Sequence, residues 1–186
     1  MRLFVSVDLP ARLADDVAAV QDALRDASGL RFTDPAQAHV TLAFLGDVAE
    51  DEVPDIEDAL DRAVERAEVT PFEATVGGLG VFPSLDYISV VWVGFEDGGE
   101  QLGRLHDAVE AELEPLGFEP EDRDFTPHVT IARMDHAGGK DLVQEVVEEQ
   151  SPTVGEMTVA EIRLTESTLT DGGPVYSTVS SASLPA

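Results

Sequence analysis

The chain has 186 residues, 43% of them apolar, which is enough to fill a core and too many for a disordered segment. It has no cysteine, which excludes disulfides, thiolate metal sites and cysteine nucleophiles. Thirty-eight Asp and Glu against eleven Lys and Arg give a formal charge of −27, and Lys140 is the only lysine. The acids are scattered along what read as outer helix faces, so a solvated acidic surface is expected rather than a site for a cationic partner.

"RLFVSVDL" (2–9) is rich in β-formers and reads as a strand; its apolar stretch is too short for a signal peptide or a membrane span, so a cytoplasmic protein without membrane contact is expected. Pro10 suits a helix start, and Leu13, Val17, Val20 and Leu24 recur on one helical face through residue 27. "SGLRFTDPAQA" reads as a loop and "HVTLAFLG" (39–46) as a strand closed by Gly46. A second amphipathic helix over 51–67 turns Ile56, Leu60 and Val64 inward. Two strands, "FEATVGGLGVF" and "DYISVVWVGF", are joined across "PSL". A helix over 100–117 comes next, with Leu102, Leu105, Val109 and Leu113 on one face. "DRDFTPHVTIAR" leads into a strand and "GKDLVQEVVEEQ" is a short helix. "TVGEMTVAEIRLTEST" and "PVYSTVSSA" read as closing strands with "DGG" as the turn. This order predicts an α+β fold over 1–186, a single domain of two interlocked, pseudo-symmetric lobes. Each lobe is expected to carry a largely antiparallel sheet flanked by helices, with a cleft between them.

The chain writes His-Val-Thr-aliphatic-Ala twice, at 39–43 and 128–132. If each neighbour matched by chance about one time in ten, four matches would arise about 10⁻⁴ of the time, so internal repetition is the better reading. In a strand, residues i and i+2 share a face, about 6.6 Å apart. His39 with Thr41, and His128 with Thr130, therefore form two polar pairs, while Val40 and Val129 point into the core. Two-fold symmetry brings the pairs together across a cleft. Imidazole titrates near neutrality, so one His takes a proton while the other gives one, and the hydroxyls donate to phosphate oxygens. That geometry suits in-line displacement at phosphorus.

Other positions are read more simply. Five residues after His128, Arg133 falls on the opposite face unless the strand bends, and reaches a phosphate only from the strand end. Phe44 is likewise out of phase with His39 and is assigned to the core. Phe82 and Phe125 are candidates for stacking a base, with core packing the simpler assignment. Arg31 and Arg123 precede the two motifs and are placed to line the cleft mouth. His106 is read as structural and His136 as a loop residue.

"AHVTLAFLG" and "TPHVTIAR" resemble the paired motifs of the two-histidine (2H) phosphoesterase superfamily, closest to the LigT-like RNA 2′,3′-cyclic phosphodiesterases, also called the 2′-5′ RNA ligase family. The flanks "RLFVSVDLP", "GLGVFPS" with "VVWVG", "GFEPEDRDFTPHVTIAR" and "LTESTLTDGGPVYSTV" extend the resemblance over nearly the whole chain. The resemblance implies catalytic residues His39 and His128, with Thr41 and Thr130 as substrate-binding residues; Arg133 is a substrate-binding candidate from its place at the strand end, with a surface salt bridge as the alternative. It also implies hydrolysis of a terminal 2′,3′-cyclic phosphate on RNA or a nucleotide to a 2′-phosphate, with 2′-5′ RNA ligation as the reverse. The acidic composition resembles that of haloarchaeal proteins.

No metal and no cofactor is expected: there is no His-Glu-x-x-His, no His-x-His and no P-loop, and "VGGLGVFPS" lacks the Gly-Lys-Ser/Thr that one needs. The alternative function is a nucleotide- or RNA-binding module without turnover. A monomer is the default.

Overall fold

The computed structural model describes residues 1–186 and builds all nine strands into one curled antiparallel sheet. Chain order is β1 (Arg2–Asp8), α1 (Ala14–Asp22), β2 (Leu30–Phe32), β3 (His39–Asp47), α2 (Val53–Arg66), β4 (Phe72–Pro83), β5 (Ile88–Asp97), α3 (Gly99–Leu113), β6 (Val129–Met134), α4 (Lys140–Glu149), β7 (Thr153–Val159), β8 (Glu161–Thr170) and β9 (Gly173–Ser183). The sheet runs β7-β4-β5-β6-β3-β1-β8-β9, with β2 paired to β6. Its middle seam, β3 against β6, is held by a single residue pair, Val40 opposite Val129. These are the equivalent valines of the two motifs.

Helices arise from their apolar faces. Ile56, Leu60 and Val64 of α2, and Leu102, Leu105, Val109 and Leu113 of α3, are all buried. These two helices pack on each other, α2 also against β8 and β9 and α3 against β3 and β5, while α1 packs against β6 and β7 and α4 against β4. One cluster of 42 buried side chains runs through both groups. Burial at about 25 cal/mol per Å² of apolar surface is what holds the helices to the convex side. The concave side is left to polar and aromatic residues. No helix is long and apolar enough to cross a membrane.

Several boundaries differ from expectation. The first helix begins with a 3-10 turn at Ala11–Leu13 and stops at Asp22 rather than continuing to 27. Leu24 still reaches the core, from the turn after the helix. The expected loop 28–38 contains β2 and a 3-10 turn at Pro35–Gln37 that Asp34 caps by accepting from Ala36 N at 2.9 Å. β3 continues past Gly46 to Asp47, and Gly46 takes a φ of 71° that a side chain disfavours. The segment 153–168 is two strands broken at Ala160: β7 pairs with β4 at one edge of the sheet, and β8 pairs with β1 on the far side of the seam.

Candidate functional site

His39 opens β3, and His128 immediately precedes β6. Their Nδ1 atoms meet the same kind of partner: Gln37 O at 2.8 Å for His39 and Thr126 O at 2.6 Å for His128. A carbonyl accepts only, so each Nδ1 carries the proton, and each Nε2 presents its lone pair away from that anchor. Burial is the leading cause that holds both imidazoles below the ordinary 6.5. The His128 charge is further opposed by Arg133 and by His39 itself and favoured by Glu121, and the His39 charge is favoured by Asp8 and opposed by Arg133, so the two rings sense each other and share one arginine. Thr41 and Thr130 are half-buried, and neither hydroxyl is used by a protein partner.

Both strands carry a bulge at the same place. In β3 the pairing with β1 passes from Thr41–Ser6 to Ala43–Val5, skipping Leu42. In β6 the pairing with β5 passes from Thr130–Trp92 to Ala132–Val91, skipping Ile131. Leu42 and Ile131 stand three residues after their histidines, and both are buried. An inserted residue reverses the in-out phase of the residues after it. Arg133 therefore turns onto the face of His128 and Thr130, and its charge reaches both imidazoles. Phe44 turns onto the face of His39 and Thr41 and is 68% exposed, which corrects its assignment to the core.

The cross-strand registers lay out the rest. One row across the concave face reads Phe82, Val90, Arg133, Arg31 and the next reads Gly80, Trp92, Thr130. Arg31 and Arg133 stand directly opposite each other, a like-charge pair that is unfavourable unless an anion or an acid lies near. Arg31 is tied to Asp135 at 3.2 Å, and Arg133 makes no ion pair. Trp92 lies across Gly80, where a Cβ would come within 2.1 Å of the indole, so only glycine admits the ring there. Phe82 meets His128 edge-on at 4.9 Å between ring centroids, with Trp92 at 6.0 Å.

The His39 end is built from residues without a sequence signal. Phe4 lies 5.0 Å from the imidazole and Tyr176 lies edge-on at 5.1 Å. Gln37 fixes Tyr176 in place: its side chain donates to Pro174 O at 3.0 Å and accepts from Tyr176 N at 2.9 Å. Arg163 donates to Asp8 at 3.0 Å and to Glu161 at 3.4 Å, and Ser6 donates to Asp8 at 2.9 Å. Phe4, Asp8, Gln37, Glu161, Arg163 and Tyr176 border a cavity of about 440 Å³ beside His39. Their roles arise from pairing between distant segments, which no local pattern announces.

Three of the remaining candidates are engaged with other residues. His106 is buried, its Nδ1 donating to Leu42 O at 2.8 Å and its Nε2 2.9 Å from Glu110, and Phe125 stacks on it at 4.1 Å. Phe125 thus anchors the segment that delivers Thr126 and His128, and does not face the cleft. His136 lies in a loop, accepting from Gly138 N at 3.1 Å. Arg123 is exposed in the segment before the second motif, two residues from Glu121, whose charge acts on His128.

A curled antiparallel sheet whose two central strands carry the repeated His-x-Thr motif at their starts is the arrangement of a two-histidine phosphoesterase. A model of the 2′-5′ RNA ligase superfamily matches residues 9–171, and the chain belongs to that superfamily. A protein of Methanothermobacter thermautotrophicus named RNA 2′,3′-cyclic phosphodiesterase is 39% identical over 178 residues, 95% of this chain and 95% of that protein. TT0787 of Thermus thermophilus has a crystal structure that matches with a TM-score of 0.81 at 32% identity, covering 99% of this chain and 98% of that one. E. coli LigT complexed with 3′-AMP matches with a TM-score of 0.78 at 25% identity, covering 100% of this chain and 98% of that one.

Proposed function

We propose that this protein is a metal-independent RNA 2′,3′-cyclic phosphodiesterase that opens a terminal cyclic phosphate to a 2′-phosphate. The observation that carries this reading is the pair of imidazoles, each with Nδ1 committed to a backbone carbonyl and Nε2 left for proton transfer. His128 Nε2 takes a proton from the attacking water as the water oxygen bonds to phosphorus. The bond from phosphorus to O3′ breaks on the opposite side, and His39 Nε2 gives its proton to O3′. Asp8 supports a charged His39 as the acid, and protonated His39 disfavours a second charge on His128, which leaves His128 as the base; Arg133 opposes a charge on both rings and Glu121 favours one on His128. Thr41, Thr130 and Arg133 hold the non-bridging oxygens. The relatives named RNA 2′,3′-cyclic phosphodiesterase support the same substrate.

The two halves of the sheet act as pseudo-symmetric lobes of a single domain. The matching bulges and the Val40–Val129 seam support this, because antiparallel pairing of equivalent residues is a local two-fold. The protein works as a cytoplasmic monomer in a salt-rich cell, the setting its charge of −27 suits.

The test is digestion of a short RNA ending in a 2′,3′-cyclic phosphate, with chelator present and the products separated. A 2′-phosphate is expected. A 3′-phosphate as main product refutes the orientation of the ribose, loss of turnover with chelator refutes metal independence, and tight binding without turnover points to a binding module instead.

A further inference from the structure

The proton transfers account for the phosphate and leave the nucleobase without a seat. Phe44 offers one. It lies inside β3, not in a loop, and still shows 68% of its surface to water. The bulge at Leu42 aims it into the cleft. Its ring packs on Phe4 at 6.4 Å, and Phe4 in turn packs on His39 at 5.0 Å, so the exposed ring stands one residue from the chemistry. The residue at the same distance from the other histidine is Arg133. The two ends of the cleft therefore present different groups at equivalent positions: a free guanidinium beside His128 and an apolar ring beside His39.

The charges near His39 point the same way. Arg163 is shared between Asp8 and Glu161, two carboxylates to one cation. That surplus of negative charge disfavours a second phosphate there and leaves an uncharged, flat group as the better occupant. Every nucleobase has a π-face, and stacking on an aromatic side chain does not depend on its sequence. We infer that Phe44 is a substrate-binding residue, the platform on which the nucleobase of the nucleotide carrying the cyclic phosphate stacks. This rests on the phosphodiesterase reading and goes beyond it, since it names the residue that selects a nucleoside over a bare sugar phosphate.

The experiment compares kcat/KM for a nucleoside 2′,3′-cyclic phosphate with that for abasic ribose 2′,3′-cyclic phosphate. Wild type is expected to favour the nucleoside by about tenfold or more, and Phe44→Ala to lose about tenfold of that ratio through KM. Phe44→Trp restores it, because the ring and not the volume is what matters. Phe44 is exposed, so neither change threatens the fold, and thermal melting checks this. A ratio retained in Phe44→Ala overturns the assignment, as does its restoration by Phe44→Leu to the level of Phe44→Trp. Absence of hydrolysis of both substrates by wild type instead overturns the activity on which the inference stands.

Discussion

The imidazoles set the pH behaviour, and the sign comes from the direction of their shifts. Both are held below 6.5, burial first. The productive pair carries one proton, so kcat/KM is expected to peak on the acid side of 6.5 and to fall as pH rises beyond it. A maximum well into the alkaline range contradicts this. The unfolded imidazoles bind protons before the folded ones do, so stability is unaffected above 6.5 and is lost as pH drops from 6.5 through the folded values. His39→Ala or His128→Ala should lower turnover by about 10²–10⁴, with melting temperature retained. Near-normal activity in either variant refutes the acid–base assignment. Arg133→Gln removes a positive charge that depresses both rings. Histidine titration by NMR should therefore show both moving up together, alongside weaker binding of phosphate. Movement of one ring alone would mean that Arg133 serves only that side.

At the scale of strands and helices, the sequence states more about the core than about the cleft. The periodic apolar positions of α2 and α3 are all buried as read, because a 3.6-residue period has no other outcome once one face is covered. His39 and His128 come within reach of each other's charge on either side of the Val40–Val129 pair. Arg133 and Phe44 are where phase counting fails. A bulge adds one residue without changing composition, and Leu42 and Ile131 look like any buried strand residue. The signal lay in comparing the two motifs: both resume an alternation that does not fit their histidines. The break at Ala160 was visible in a similar way, since Met157, Val159, Ile162 and Leu164 step by two, three and two residues. Gly80 tests whether this geometry is required. Gly80→Ala would drive a methyl group into Trp92 and should lower stability by roughly 1–3 kcal/mol. Trp92 is the only tryptophan, so its emission should shift as the ring leaves its seat beside His128. Unchanged emission and stability would show that the ring has room to move.

The whole molecule is a polyanion proposed to act on a polyanion. No Asp or Glu is buried, and most of the arginines are already engaged. Arg62 and Arg66 hold Glu112, Arg25 holds Asp22, Arg104 caps the carbonyls of Ala67 and Glu68, and Arg163 serves Asp8 and Glu161. The surface thus repels itself over distances set by the Debye length, about 10 Å at 0.1 M salt and about 3 Å at 1 M. Melting temperature should rise steeply with KCl between those concentrations, and a melting temperature independent of KCl contradicts the salt-adapted reading. The same screening governs the substrate. Most proteins lose affinity for RNA as salt rises, because their contacts release counterions. Here the long-range field opposes the RNA, and the cleft relies on short-range contacts: hydroxyls, imidazoles, one free arginine and an exposed ring. Raising KCl from about 0.1 M to about 1 M should therefore increase kcat/KM for a cyclic-phosphate oligonucleotide more than for the mononucleotide, since the longer chain carries more phosphates into the repelling field. A fall in kcat/KM that steepens with oligonucleotide length would show instead that the RNA is held by a line of cationic contacts, and would refute the short-range account.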